Sequence, residues 1–264
     1  MDIPTIARDP RAAHTHTVVF LHGRGDNAQR FSSRVTSWRD SQKRTFADAF
    51  PSFRWVFPQA PVRKCANLPY TWHQWFDVWS VKDFSEREEI QAQGLKEVVP
   101  AIRSILGNEA GLLGGRWDRV ILAGISMGGA TSVHTLFNLD IPVSGGGRLG
   151  AFIGVACRCP LAGRSLLEMR QVLGLEGVPD HAEVLRNTPM LMEHNIDDGT
   201  VLVEKGRGLR DILREFGAQV EWKEYPGGGH WFNSPSGMDD VVEFLNRHVM
   251  AVQVVASEDV VMTM

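Results

Sequence analysis

The chain alternates short, mainly apolar runs with longer segments of helical periodicity. The runs occupy residues 17–21, 54–57, 119–123, 151–156 and 189–194. Runs of this length, bounded by turn residues, are typical of strands buried on both faces of a parallel sheet. Residues 220–222 instead alternate apolar with charged side chains, which predicts a less buried strand near a sheet edge.

Helical spacing of apolar residues marks the segments between and after these strands. It predicts helices over residues 86–106, 127–139 and 209–216, with room for one more within residues 28–50. Pro100 lies inside the first of these and predicts a kink or a break there. Ser236 and Asp239 resemble a capping box and predict the start of the last helix.

Strands that alternate with helices predict an α/β fold with a mostly parallel central sheet and helices on both faces. No repeat and no linker rich in proline, glycine and serine divides the chain. We therefore expect an N-terminal extension at residues 1–16, a single domain at residues 17–250 and a C-terminal tail at residues 251–264.

Composition narrows the class of protein. The 264 residues are 43% hydrophobic and 22% charged, which is typical of a globular protein, and the net charge of -3 argues against nucleic-acid binding. Residues 1–16 lack the pattern of a secretory signal and no apolar run is long enough for a membrane span, so the expected location is cytoplasmic. Cys65, Cys157 and Cys159 form no disulfide framework, and the last two are expected to pack as small buried side chains.

The candidate chemistry centres on residues 124–128, which read Gly-Ile-Ser-Met-Gly between a predicted strand and a predicted helix. A sharp strand-to-helix turn strains the backbone, and flanking glycines remove side chains that would collide there. Such a turn would present Ser126 Oγ above the sheet as a nucleophile. The competing interpretation is a chance pattern of small residues at an ordinary turn.

A serine nucleophile needs a base and a group that orients it. His230 is the best of the nine histidines, because it follows a late strand on a glycine-rich loop and precedes the last helix. Asp197 and Asp198 follow the strand that ends near residue 194, and spacing alone does not choose between them. Oxyanion stabilisation would use the backbone N–H of Met127 and a second N–H from residues 22–24.

Residues 70–79 contain three tryptophans in a predicted loop. Each could be an ordinary core residue, but apolar loop side chains beside a nucleophile are typical of a ligand pocket. We expect Trp75, Phe76 and Trp231 to line that pocket. Exposed tryptophans around Trp75 would also suit a dimer contact or a lid, and the sequence leaves the oligomeric state open.

These motifs together resemble the phospholipase/carboxylesterase family, which includes the acyl-protein thioesterases, within the α/β-hydrolase fold. The resemblance runs over residues 17–249. It rests on residues 21–26 (LHGRGD), 58–61 (PQAP), 75–77 (WFD) and 124–129 (GISMGG), on His194 with Asp198 and Val201, and on Gly229 with His230.

The resemblance implies a cofactor-free serine hydrolase without a metal. Ser126 would be its nucleophile, Asp198 the acid and His230 the base, with Arg24 and Met127 at the oxyanion-hole positions. The substrate would be an ester or thioester, with acylated proteins and lysolipids among the choices.

The chain departs from the family pattern at several positions. Arg24 replaces a common apolar residue, Met127 a glutamine and Asn195 a glycine, and residues 156–160 (ACRCP) replace a tryptophan-containing stretch. A cation at Arg24 would favour negatively charged substrates.

Three alternatives remain open from the sequence. The first is an esterase specialised for a small metabolite, and the second is a catalytically silent binding protein with this fold. The third is a metal hydrolase built from His22, His194, Asp197 and His230, although no ligand-spaced motif supports it. Acyl-chain length and the choice between ester and thioester do not follow from these residues.

Overall fold

The computed structural model describes residues 1–251, and these form one seven-stranded sheet with an additional two-stranded ribbon. The strands of the sheet are β1 (Thr5–Arg8), β2 (His16–Leu21), β3 (Phe53–Pro58), β6 (Val120–Ile125), β7 (Ala151–Val155), β8 (Met190–Asn195) and β9 (Val220–Tyr225). Their order across the sheet is β1-β3-β2-β6-β7-β8-β9, in which β1 is antiparallel to β3 and all other neighbours are parallel. The ribbon pairs β4 (Val62–Lys64) with β5 (Thr71–His73).

Helices cover both faces of the sheet. One face packs against α1 (Ala28–Val35), α2 (Phe46–Ala49) and α8 (Ser236–Leu245), which a π-helical turn (Asn246–Met250) extends. The other face packs against α3 (Glu88–Leu112), α4 (Met127–Phe137), α5 (Leu166–Leu173), α6 (Glu183–Asn187) and α7 (Val203–Glu215). Within residues 1–251, no helix is long and apolar enough to cross a membrane.

The apolar runs form strands because both of their faces are covered. In β2, Val18 belongs to the hydrophobic cluster on the α1 side and Val19 to the cluster on the α3 side. Successive strand residues point to opposite faces, so a central strand between two helical layers needs apolar residues at every position. The predicted mostly parallel sheet with helices on both faces is confirmed, and β9 lies at an edge as expected.

Residues 1–16, predicted to be an extension, supply the edge strand β1, which pairs Ile6 with Phe57 and Ala7 with Val56. A four-residue strand with one large apolar side chain carries too little periodicity to be recognised. The predicted tail at residues 251–264 lies outside the described residues from residue 252 onwards.

Two details of the predicted helices differ in the structure. Helix α3 runs unbroken from Glu88 to Leu112 through Pro100, which is exposed on its surface, so the alternative of a break at Pro100 is wrong. The last helix has Pro235 as its N-cap and no side-chain cap, so Ser236 and Asp239 form no capping box. Asp239 instead accepts hydrogen bonds from the backbone N–H and hydroxyl of Ser41, both at 3.0 Å.

Candidate active site

The turn between β6 and α4 holds Ser126 in a strained conformation. Its φ is 56°, in the left-handed region that residues with a Cβ rarely adopt. The flanking glycines are required by packing: a Cβ at Gly128 would lie 2.3 Å from the carbonyl oxygen of Leu21, and one at Gly124 would lie 2.5 Å from the backbone of Gly128. This close packing of strand, turn and helix raises the serine side chain above the carboxyl edge of the sheet.

His230 bridges Ser126 and Asp198. Its Nε2 lies 2.8 Å from Ser126 Oγ and its Nδ1 lies 2.7 Å from Asp198 Oδ2. Because a carboxylate only accepts, Nδ1 carries the ring proton and Nε2 is free to accept the serine hydroxyl proton. The structure thus brings the three predicted side chains into one hydrogen-bonded chain.

Asp198 is almost fully buried and is held as an acceptor by several donors. Its Oδ1 accepts from the backbone N–H groups of Thr200 and Val201 at 2.8 and 2.9 Å, and His194 Nε2 lies 3.2 Å from Oδ2. Burial acts to raise the pKa of Asp198, but the hydrogen bonds from His194, His230 and Val201 outweigh it and hold that pKa below its usual range. The carboxylate therefore stays ionised at neutral pH.

Asp197 and Asn195 position the loop that carries His230. Asp197, which is exposed, accepts from the backbone N–H groups of Gly228 and Gly229 at 3.2 and 2.8 Å. Asn195 Nδ2 donates to the carbonyl oxygens on both sides of the histidine, Gly229 at 2.9 Å and Trp231 at 2.8 Å. The geometry separates the two aspartates: Asp198 contacts the imidazole, and Asp197 contacts the glycine loop.

The loop after β2 passes directly over Ser126. A Cβ at Gly23 would lie 3.4 Å from Ser126 Cβ and 3.8 Å from its Oγ, and the next residue, Arg24, lines a cavity that Ser126 also lines. Met127 opens α4 on the other side of the serine. Arg24 and Met127, the residues predicted for the oxyanion hole, therefore both line the cavity beside Ser126.

Buried contacts fix the start of that loop. His22 Nδ1–H donates to the Gly23 carbonyl at 2.8 Å, and its Nε2 accepts from the Ala60 N–H at 3.1 Å. Burial lowers the pKa of His22 to about 4, so its ring is neutral at pH 7. Trp75 Nε1–H donates to the His22 carbonyl at 2.8 Å.

A cavity of about 70 Å³ opens beside Ser126 and Met127. Most of its wall is apolar and includes Phe76, Val78, Phe84, Ala130 and Val201. Two arginines, Arg24 and Arg158, also line it. Phe76 lines this cavity, whereas Trp75 and Trp231, which were expected to line the pocket, do not. Trp75 is fully buried beneath the loop after β2, and Trp231 packs beside Trp38 and Arg34 at ring distances of 5.9 and 5.2 Å.

The Arg24 side chain already has hydrogen-bond, ion-pair and aromatic partners within the protein. It donates to Gln74 Oε1 at 2.7 Å and to Asp77 Oδ1 at 3.3 Å, and its guanidinium carbon lies 4.9 Å from the Trp72 ring centroid. The ion pair with Asp77 neutralises the cation. Arg24 therefore anchors its loop to the segment around β5. The structure does not support the expectation that the charge of Arg24 selects anionic substrates.

The four side chains of the metal-hydrolase alternative do not converge. His22 contacts backbone atoms through both ring nitrogens, and Asp197 faces the glycine loop. Among residues 1–251, no group of three or more histidine, cysteine, aspartate or glutamate side chains is arranged to hold a metal ion.

Comparisons with known proteins agree with this architecture. A sequence model described as Phospholipase/Carboxylesterase matches residues 2–249. Acyl-protein thioesterase 1 of Neurospora crassa is 30% identical over 235 residues, which cover 86% of this chain and 83% of that protein. Carboxylesterase SOBER1 of Arabidopsis thaliana is 26% identical over 214 residues, 81% of this chain and 82% of that protein.

A solved structure shows the same fold. The crystal structure of Zea mays acyl-protein thioesterase 2 superimposes with a TM-score of 0.70 at 24% identity, covering 93% of this chain and 98% of that one. The family match spans nearly all of the described residues, including the Ser126 turn and the His230 loop. The chain therefore belongs to the phospholipase/carboxylesterase family and has the α/β-hydrolase fold.

Proposed function

We propose that this hydrolase cleaves carboxylic esters or thioesters through an acyl-enzyme intermediate on Ser126. The family gives the class of reaction. The observation that carries the mechanism is the hydrogen-bonded chain from Ser126 Oγ through His230 to Asp198, with distances of 2.8 and 2.7 Å. Serine is a weak nucleophile unless a base is within this reach.

In the first step Ser126 Oγ attacks the substrate carbonyl and His230 Nε2 takes its proton. Asp198 holds the imidazole in the required tautomer and stabilises the imidazolium that forms. The backbone N–H groups of Arg24 and Met127 bind the oxyanion, and His230 returns the proton to the departing alkoxide or thiolate. Water then attacks the acyl-enzyme with His230 again as the base, which releases the acid and restores Ser126.

The size of the cavity favours a short acyl group. At about 70 Å³ it is far below the roughly 300–1,000 Å³ of sites that enclose larger ligands. Two relatives are named acyl-protein thioesterase 1 and carboxylesterase. The names favour an acylated protein or a small ester, respectively, and acyl-chain length separates the two.

The test measures hydrolysis of p-nitrophenyl esters from acetate to palmitate by the wild type, Ser126→Ala and Ser33→Ala. Removing the nucleophile should lower kcat on the order of 10⁶-fold. Ser33 is an exposed hydroxyl on α1 that donates to the Gln29 carbonyl at 3.0 Å, so its removal should leave the rate unchanged.

A maximum at acetate or butyrate would support the small-ester function, and a maximum at palmitate the acylated-protein function. Activity that survives in Ser126→Ala refutes the mechanism. So does a wild type that hydrolyses none of the esters and fails to react with a fluorophosphonate, which would favour a binding protein.

A further inference from the structure

Arg158 places a buried cation in the wall of the cavity beside Ser126. It follows β7 in the loop of residues 156–160, and only 7% of its surface is exposed. Its side chain lines the same cavity as Ser126, Met127 and Ala130. A charged group in this position is unusual, because most of the surrounding wall is apolar.

The contacts of Arg158 hold its guanidinium without neutralising it. Its Nη2 donates to Gln91 Oε1 at 2.8 Å, and Gln91 Nε2 donates to the Phe84 carbonyl at 2.6 Å, which orients the amide oxygen toward the arginine. The guanidinium carbon lies 3.8 Å from the Phe84 ring centroid. An amide and an aromatic ring provide dipoles and a π-face, but no negative charge.

No carboxylate within residues 1–251 is within ion-pair distance of Arg158. Glu88 is close enough to act on it electrostatically, but its carboxylate binds Arg164 at 2.8 Å. The other cavity arginine, Arg24, already has an ion pair with Asp77. Arg158 therefore provides the unbalanced positive charge in the wall.

Burial without a counter-ion is costly for a cation, and it lowers the pKa of Arg158 to about 10. The side chain is nevertheless protonated at neutral pH. An anion that entered the cavity would meet a guanidinium that has already lost its water, and such desolvated charge pairs are strong and directional.

We propose that Arg158 binds a carboxylate on the acyl part of the substrate, so that the preferred substrates are esters or thioesters of short dicarboxylic acids. This inference rests on the proposed function. The acyl part is assigned because Arg158 lies in the interior wall, whereas the leaving group must reach solvent while the acyl group stays on Ser126. The free carboxylate would form the hydrogen-bonded ion pair that Arg158 lacks.

The experiment compares p-nitrophenyl butyrate with the mono-p-nitrophenyl esters of succinate, glutarate and adipate. The wild type should prefer at least one dicarboxylate ester by kcat/KM. Arg158→Gln should lower that preference about 100-fold, in line with the strength of charge-assisted hydrogen bonds, and Arg158→Lys should restore part of it. The control is Arg116→Gln, which makes the same charge change in the loop before β6, where Arg116 pairs with Asp118.

Two further measurements keep the outcome clear. In the wild type, free glutarate should inhibit the hydrolysis of p-nitrophenyl butyrate more strongly than free butyrate does. This measurement tests the site without any variant. An ester with the carboxylate on the leaving group, 3-carboxy-4-nitrophenyl butyrate, should gain nothing from Arg158.

Equal preference for butyrate and all three dicarboxylate esters, with no inhibition by glutarate, would overturn the inference. So would an Arg158-dependent preference confined to the carboxylated leaving group. In either case Ser126-dependent butyrate hydrolysis would still support the proposed function, whereas loss of that dependence would remove both.

Discussion

Replacing Asp198 by asparagine tests the hydrogen-bonded chain most directly. The orientation of the new amide is set by two backbone donors, because Thr200 N–H and Val201 N–H both point at Oδ1 at 2.8 and 2.9 Å. The amide oxygen must occupy that position, since an NH₂ group there would face two other donors. The NH₂ group then occupies the Oδ2 position, 2.7 Å from His230 Nδ1.

This orientation forces the wrong tautomer on the base. With a donor opposite Nδ1, the imidazole of His230 can only keep its proton on Nε2, which then cannot accept the hydroxyl proton of Ser126. A tautomer change of this kind in a serine triad lowers kcat about 10⁴-fold, which corresponds to roughly 5.5 kcal/mol of transition-state stabilisation. The binding of substrate should change little, so the loss should lie in kcat rather than KM.

The neighbouring aspartate provides a matched control. Asp197→Asn makes the same chemical change one residue earlier, but its two oxygens accept from backbone N–H groups of the glycine loop and not from the imidazole. The amide oxygen can keep the shorter bond, from Gly229 at 2.8 Å, while the NH₂ group takes the place of the oxygen that accepts from Gly228 at 3.2 Å. We expect less than about a tenfold loss of kcat, since the change removes the longer of two bonds to an exposed loop, weakens the other and leaves the tautomer of His230 unchanged. Kinetics on one p-nitrophenyl ester, with circular dichroism to verify folding, measure both. A loss near 10⁴ in Asp197→Asn together with a small loss in Asp198→Asn would refute the assignment of the two residues.

Two stability predictions follow from packing and burial. In Gly128→Ala the new Cβ would lie 2.3 Å from the Leu21 carbonyl oxygen. The change should lower the free energy of unfolding in urea by at least about 1–3 kcal/mol and should also impair catalysis. Gly111→Ala on α3, whose Cβ would contact nothing within 4 Å, should be neutral or stabilising, and equal effects of the two changes would contradict the packing argument. Burial lowers the pKa of His134 from 6.5 to about 4. Between pH 6.5 and pH 4 the unfolded chain therefore binds a proton at this residue that the folded chain does not. The free energy of unfolding should fall over that window by about 3 kcal/mol from His134 alone. His134→Gln should flatten that decline in urea titrations, and parallel stability curves for wild type and variant would rule out His134 as its source.

The regular parts of the fold could be predicted because their physical causes are local. Continuous apolar runs mark β2, β3, β6, β7 and β8, each of which is buried on both faces. The glycines around Ser126 could also be predicted, because a crowded turn leaves no room for larger residues at these positions. By contrast, the apolar pattern does not predict α5, α6 or the ribbon of β4 and β5. Elements this short contain too few residues to show a period.

The details of the site depend on contacts between distant residues. Asn195 is an ordinary polar residue at a strand end in the sequence, and only the fold shows that it binds the backbone on both sides of His230. Trp75 and Phe76 are adjacent, yet one supports the loop after β2 and the other lines the cavity. Arg158 gives no signal of its burial, since a lone arginine between two cysteines in a loop would be expected at the surface.

The short strand β1 has a consequence for the solubility of the molecule. It covers the hydrogen-bonding edge of β3, a strand whose sequence is Phe-Arg-Trp-Val-Phe-Pro. The outer edge that β1 presents instead is four residues long, mostly exposed, and lies between Pro4 and Pro10. An uncovered aromatic strand is a template for pairing with other chains, whereas a strand of four residues close to prolines is a poor one. Strand β1 thus protects this edge of the sheet from association with other chains, although two strands separate it from β6 and the turn that carries Ser126.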